Sequence, residues 1–168
     1  MERVGMFAFR YLRSAIDLYK FHWDCGIFVA EFHFESMHDI SSREDVFLLV
    51  TTFYDKVRKD ALLAPIFNSV ITDWEHHLER LTNFWESNLF FKKTFSGDPV
   101  GKHIDVDMSL NGGINEMHFG VWLNLWYETI DELFAGEVAK IAKNRARSMS
   151  TFIHLKIFEA RNIPPTNR

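Results

Sequence analysis

The sequence predicts an all-α domain of four main helices, preceded by a segment of different character. Three observations carry this. From Met37 onward apolar residues recur at helical spacing, and the first three regular stretches open on a capping residue and close on Gly or Pro. Hydrophobic residues make up 47% and charged residues 25% of the 168, the balance of a globular chain with a real core. Gly and Pro number only eight and four, too few for a fibrous or low-complexity chain.

The first helix is expected to open at Ser41-Ser42-Arg43-Glu44-Asp45, where Ser hydroxyls cap free N–H groups and acids fill the first turn. Val46, Leu49, Phe53 and Val57 form its stripe with Tyr54 beside it, and Leu63-Ala64-Pro65-Ile66-Phe67 is read as its stop. Thr72-Asp73-Trp74-Glu75 has the spacing of a capping box, Thr to Glu. The second helix then carries His77, Leu81, Phe84 and Asn88 on one face, flanked by Leu78 and Trp85. Ser96-Gly97-Asp98-Pro99 ends this segment and opens a short turn reaching His103. After Gly112-Gly113, Asn115 can cap a third helix with Phe119, Trp122, Leu123, Trp126, Ile130 and Leu133 on its stripe, broken by Gly136. The fourth is expected to turn Val138, Ile141, Ala142, Met149, Phe152 and Ile157 inward, and Pro164-Pro165 ends regular structure.

Residues 1–36 hold nine aromatics: Phe7, Phe9, Tyr11, Tyr19, Phe21, Trp23, Phe28, Phe32 and Phe34. No period holds there for long. Leu12, Ala15, Ile16 and Tyr19 suggest a short helix, and Phe28 to Phe34 alternates like a strand. The expected organisation is an extension over 1–36, poorly ordered and upstream of a true start at Met37, then a domain over 37–160 and a tail over 161–168.

Composition excludes several functions. The single Cys25 forms no internal disulfide and builds no Cys-based metal site, which suits a reducing compartment. A net charge of −4 argues against nucleic acid as the main partner. No apolar run is long enough to span a membrane, and the first ten residues do not read as a signal peptide, so the expected location is the cytoplasm.

Phosphate-loop, nucleophile-elbow and His-Glu-x-x-His patterns are missing from the sequence. A di-iron bundle needs paired Glu-x-x-His motifs; only Glu35-x-x-His38 and Asp73-x-x-His76 approach that, without the accompanying Glu residues. The stronger constellation is His103, just past a Pro-started turn, with His77 on a neighbouring helix. Around them fall Phe53, Tyr54, Phe67, Leu81, Phe84, Trp85, Trp122 and Trp126. An imidazole, aromatic walls and a few polar groups suit a flat macrocycle with one protein ligand, although the same aromatics could simply be core.

The order of motifs over residues 38–157 resembles the truncated globins, specifically the third group. The resemblance rests on Phe53-Tyr54-Asp55-Lys56-Val57, Pro65-Ile66-Phe67, Trp74-Glu75-His76-His77-Leu78, Asn83-Phe84-Trp85, Gly97-Asp98-Pro99-Val100-Gly101-Lys102-His103 and Trp122-Leu123-Asn124-Leu125-Trp126. It implies a two-over-two helical sandwich holding haem b (iron protoporphyrin IX), with diatomic gases O2, NO and CO as ligands. His103 falls on the proximal iron ligand. Tyr54, His77 and Trp122 fall on the polar distal residues, Phe67 on an aromatic packed against the macrocycle, and Leu81 on an apolar wall. Trp85 is counted with the binding residues. His76 adjoins His77, and a one-position rotation would exchange them; sharing a face with Leu81 favours His77. The expected function is reversible O2 or NO binding. The alternative is a haem redox enzyme, peroxidase-like or NO-detoxifying, drawing electrons from an external reductase.

Overall fold

The computed structural model describes residues 19–24, 27–32 and 37–162 and divides the chain into two units at Ser36/Met37. In the leading unit β1 (Tyr19–Asp24) pairs antiparallel with β2 (Ile27–Phe32), in a register that sets Tyr19 opposite Phe32 and Asp24 opposite Ile27. β2 overlaps the alternating stretch. Tyr19 begins a strand rather than belonging to a helix. Leu12, Ala15, Ile16, Cys25 and Pro164-Pro165 lie outside the described residues.

The second unit is all-α. Its described residues form α1 (Arg43–Val57), α2 (Ala64–Val70), α3 (Trp74–Phe90), α4 (Pro99–Ser109), α5 (Glu116–Leu133) and α6 (Glu137–Arg161). α1 packs on α3 and α5 on α6, and the pairs meet through α1 against α5, a two-over-two arrangement. Four long helices were expected; α2 and α4 are additional.

The helix starts follow from their caps. Ser42 accepts from the Asp45 N–H, and the Asp45 carboxylate returns a bond to the Ser42 N–H at 3.0 Å. Pro65 starts α2 rather than only stopping α1, because a proline in the first turn lacks an N–H that would be unpaired anyway. The third cap is Asp73, which accepts from His76 N–H at 3.0 Å, so the Thr72 capping box is not formed. α6 has no side-chain cap of its own. Asp39 supplies one from a distance, accepting from the N–H groups of Val138 (2.8 Å) and Ala139 (2.9 Å). A Cβ on Gly136 would sit 2.1 Å from the Asp39 carboxyl carbon, so glycine makes room for that cap. Asp39→Ala is expected to lower stability by about 1–2 kcal/mol, the usual cost of a lost N-cap, read as the shift in urea midpoint.

The core is one cluster. α1 contributes Val46, Leu49, Val50, Phe53, Tyr54 and Val57; α5 contributes Trp126 and Ile130. The inward face of α6 differs from the expected one. Its buried residues are Ala139, Ala142, Ala146, Ser150, Ile153 and Ile157, whereas Ile141 and Phe152 are 41% and 50% exposed. Small side chains let α6 approach its neighbours closely, and the bulky ones turn outward.

Two buried carboxylates cross-link the helices. Glu86 on α3 accepts from Arg43 (2.8 Å) and Lys92 (2.9 Å). Asp107, the buried residue among those of α4, accepts from Arg161 Nε at 2.9 Å and from Ile114 N–H at 3.1 Å, tying α4 to the end of α6.

These carboxylates predict acid sensitivity. Partial burial would raise the Asp45 pKa, but hydrogen bonds from the Ser41 N–H, from His38 and from the Ser41 and Ser42 hydroxyls hold it down at about 2. Asp39 and Asp107 are lowered likewise, against burial, by backbone N–H groups and, for Asp107, first by Arg161. A depressed carboxylate stabilises the fold above its unfolded pKa and loses that contribution as pH falls through the folded value. Stability is therefore expected to drop between about pH 4 and pH 2, with a shallower drop in Asp45→Asn, followed by circular dichroism at fixed temperature.

Candidate functional site

The segment from Gly97 to His103 runs from a loop into the first turns of α4. Asp98 caps α4 by accepting from the Gly101 N–H at 2.9 Å, and Pro99 takes the first helical position. A Cβ on Gly101 would lie 2.2 Å from Asp98 Oδ2, so the glycine lets the capping carboxylate fold back. The segment read as a short turn is thus an 11-residue helix, with His103 on its second turn. His103 Nδ1 lies 2.6 Å from the Pro99 carbonyl. A carbonyl only accepts, so Nδ1 carries the proton. The imidazole is fixed as the tautomer whose Nε2 lone pair is free for a metal.

A cavity of about 640 Å³ is enclosed by α1, α2, α3, α4, α5 and α6, a size within the range of organic-cofactor sites. The seven residues that the resemblance assigns to binding line it: Tyr54, Phe67, His77, Leu81, Trp85, His103 and Trp122. Phe84 does too, whereas Phe53 and Trp126, also expected around the histidines, are buried behind it. His76 and His118 also reach it. His118 does so while its Nδ1 accepts from the Asn115 N–H at 3.2 Å, a helix-capping role. Sequence reasoning missed Arg80, Phe95, Met149 and Ile153 on the wall. Arg80 lies one turn beyond His77, and that spacing was the signal available for it.

The polar groups are held by aromatic packing. Tyr54 is 5% exposed, with its ring 4.8 Å from Phe53, 5.8 Å from His77 and 5.9 Å from Phe67. Burial pushes its hydroxyl pKa well above the ordinary value, against the Trp122 indole N–H, so the phenol stays a donor at any working pH. His77 has its pKa pushed down to about 4, first by burial and then by the charges of Arg80, His76 and His103. It is therefore neutral at neutral pH. Its Nε2 is buried and has no hydrogen-bond partner among the described residues. Such an atom costs stability unless a ligand meets it.

The chain was compared with known proteins. It is 28% identical over 122 residues to a group 3 truncated hemoglobin of Campylobacter jejuni, covering 70% of this chain and 92% of that relative. The crystal structure of a group III truncated hemoglobin from Campylobacter jejuni superposes with a TM-score of 0.65 at 28% identity, over 72% of this chain and 94% of that one. No family model matches the chain.

The chain is similar in sequence and in fold to the group III truncated globins.

As a globin-type haem protein it needs a site that suits the macrocycle, and this cavity does. A tethered imidazole with a free Nε2, aromatic walls and the unpartnered Nε2 of His77 are the donor set a haem with one protein ligand requires. This truncated-globin-like fold brings those groups together from four helices: Tyr54 on α1, His77 on α3, His103 on α4 and Trp122 on α5. Among the described residues, no group of three or more His, Cys, Asp or Glu side chains could hold a metal ion by itself, and the di-iron alternative has no support there.

Proposed function

We propose that this globin binds O2, and NO and CO likewise, reversibly at a haem b whose iron is held by His103. When bound, a ferrous haem would supply an iron able to take a diatomic ligand. The rest is the work of this chain. His103 holds the iron, its ring orientation set by the Pro99 carbonyl. Phe67, Leu81 and Trp85 wall the macrocycle and exclude water. Tyr54, His77 and Trp122 supply hydrogen bonds to the ligand, O2 taking up partial negative charge when it binds.

The observation that carries this reading is His77. Its buried Nε2 lacks a partner in a cavity shared with a metal-ready imidazole. Replacing it by Leu is expected to speed O2 release by about tenfold, the equivalent of one hydrogen bond of about 1.4 kcal/mol, measured by stopped-flow displacement. An unchanged rate would remove His77 from the ligand's surroundings.

Among the described residues no helix is long and apolar enough to cross a membrane, and the proposed location is the cytoplasm. The redox alternative has one observation in its favour, a stack of indoles behind the cavity. Turnover would draw electrons from a reductase outside the chain.

A further inference from the structure

Three tryptophans stack behind the cavity. Trp126 lies with its ring centre 4.4 Å from Trp85, the planes 21° apart, and 5.8 Å from Trp122, the planes 7° apart. Trp85 and Trp122 both line the cavity, and Trp126 is fully buried between α3 and α5. The outer indoles therefore touch the haem's space while the central one is shut away from it and from solvent. Trp126 also carries an unexplained feature: its indole N–H is buried and has no partner among the described residues. A phenylalanine there would fill apolar space without stranding a donor, so indole costs stability that packing alone does not require. A buried polar group of this kind calls for an explanation, and with an indole stacked on either side a redox role supplies one.

We propose that the Trp85–Trp126–Trp122 stack is a redox site that gives up one electron when hydrogen peroxide is reduced in the cavity. The inference rests on the haem reading above. Hydrogen peroxide takes up two electrons and two protons from solvent, its O–O bond breaks, and two waters form. One electron comes from the haem and the other from the stack. Indole is among the most easily oxidised side chains, and parallel rings in contact share the resulting positive charge. With no acceptor at its N–H, Trp126 keeps its proton and remains a cation, which neighbouring aromatic faces favour. A one-electron reductant outside the chain, such as ascorbate, then returns one electron to the stack and a second to the haem. The arrangement moves an oxidising equivalent off the haem into a place where solvent and bystander side chains do not meet it.

The test is freeze-quench electron paramagnetic resonance on the ferric holoprotein mixed with one equivalent of hydrogen peroxide. The protein is grown with ring-deuterated tryptophan or, separately, ring-deuterated tyrosine. The expected result is an organic radical signal that narrows with labelled tryptophan and not with labelled tyrosine. In Trp126→Phe the haem absorption is expected to persist while most of that signal is lost. No radical, narrowing with tyrosine alone, or an undiminished signal in Trp126→Phe overturns the proposal. Loss of the haem absorption band from the wild-type protein would instead overturn the haem reading. The labelling arm needs no variant, so a poorly folded Trp126→Phe leaves the question decidable.

Discussion

His103→Ala is expected to remove the proposed iron ligand, and with it the intense Soret absorption of the protein purified after haem supply. The expectation is this steep because nothing nearby replaces His103. His77 is neutral, but it sits on α3 among aromatics, without a carbonyl to fix its ring as Pro99 fixes His103. His118 is occupied as a cap. Free imidazole added to His103→Gly is expected to restore part of the absorption. A Soret band of wild-type intensity and position in His103→Ala would place the ligand elsewhere.

Tyr54→Phe is expected to produce the largest change in ligand release. The phenol is buried, kept protonated by that burial and packed by Phe53, Phe67 and His77, so it points one way at little entropic cost. A hydrogen bond to a partly charged acceptor is worth about 1.5–3 kcal/mol, or a factor of roughly 10 to 100 in dissociation rate. Because Phe keeps the ring, stability should change little, and the readout is O2 dissociation by stopped flow at neutral pH. Equal rates in Tyr54→Phe and wild type would exclude the hydroxyl from ligand contact. Were the effect of the Tyr54/His77 pair less than the product of the two single changes, the donors act as one network.

The pattern of success and failure in reading the sequence has physical causes. α1 and α5 were legible because each joins a clear cap, Ser42 or Asn115, to an apolar stripe facing the core. α4 was taken for a turn because its buried residue is a carboxylate, Asp107, held by Arg161 from the far end of the chain. No local period announces a helix anchored that way. On α6, hydrophobicity alone favours Ile141 and Phe152 for the interior. Close approach of helices instead selects Ala139, Ala142 and Ala146, which a stripe of large residues does not reveal. The Asp39 cap on α6 spans about a hundred residues of sequence and has no local signal.

The lining of the cavity was more legible than the elements around it. His103, His77, Tyr54 and Trp122 stand far apart in sequence, yet all reach one cavity. Their order along the chain, compared with a family pattern, brought them together; spacing alone could not. The same reasoning passed over Arg80, since a charged residue on a helix reads as solvent-facing until the cavity shows it on the wall. It also placed Trp126 among the aromatics around the two histidines, whereas Trp126 lies behind the cavity wall, and its unpaired N–H becomes visible only when every neighbour is placed.

The central claim is reversible O2 binding at a haem held by His103, and cycling the reduced protein tests it most directly. The holoprotein is reduced under argon, exposed to O2 and then stripped of it, with the visible spectrum followed throughout. The expected result is a distinct oxygenated spectrum that returns to the deoxygenated one on removal of O2, with slow release. A spectrum that does not respond to O2, or that passes at once and irreversibly to the ferric form, would contradict it.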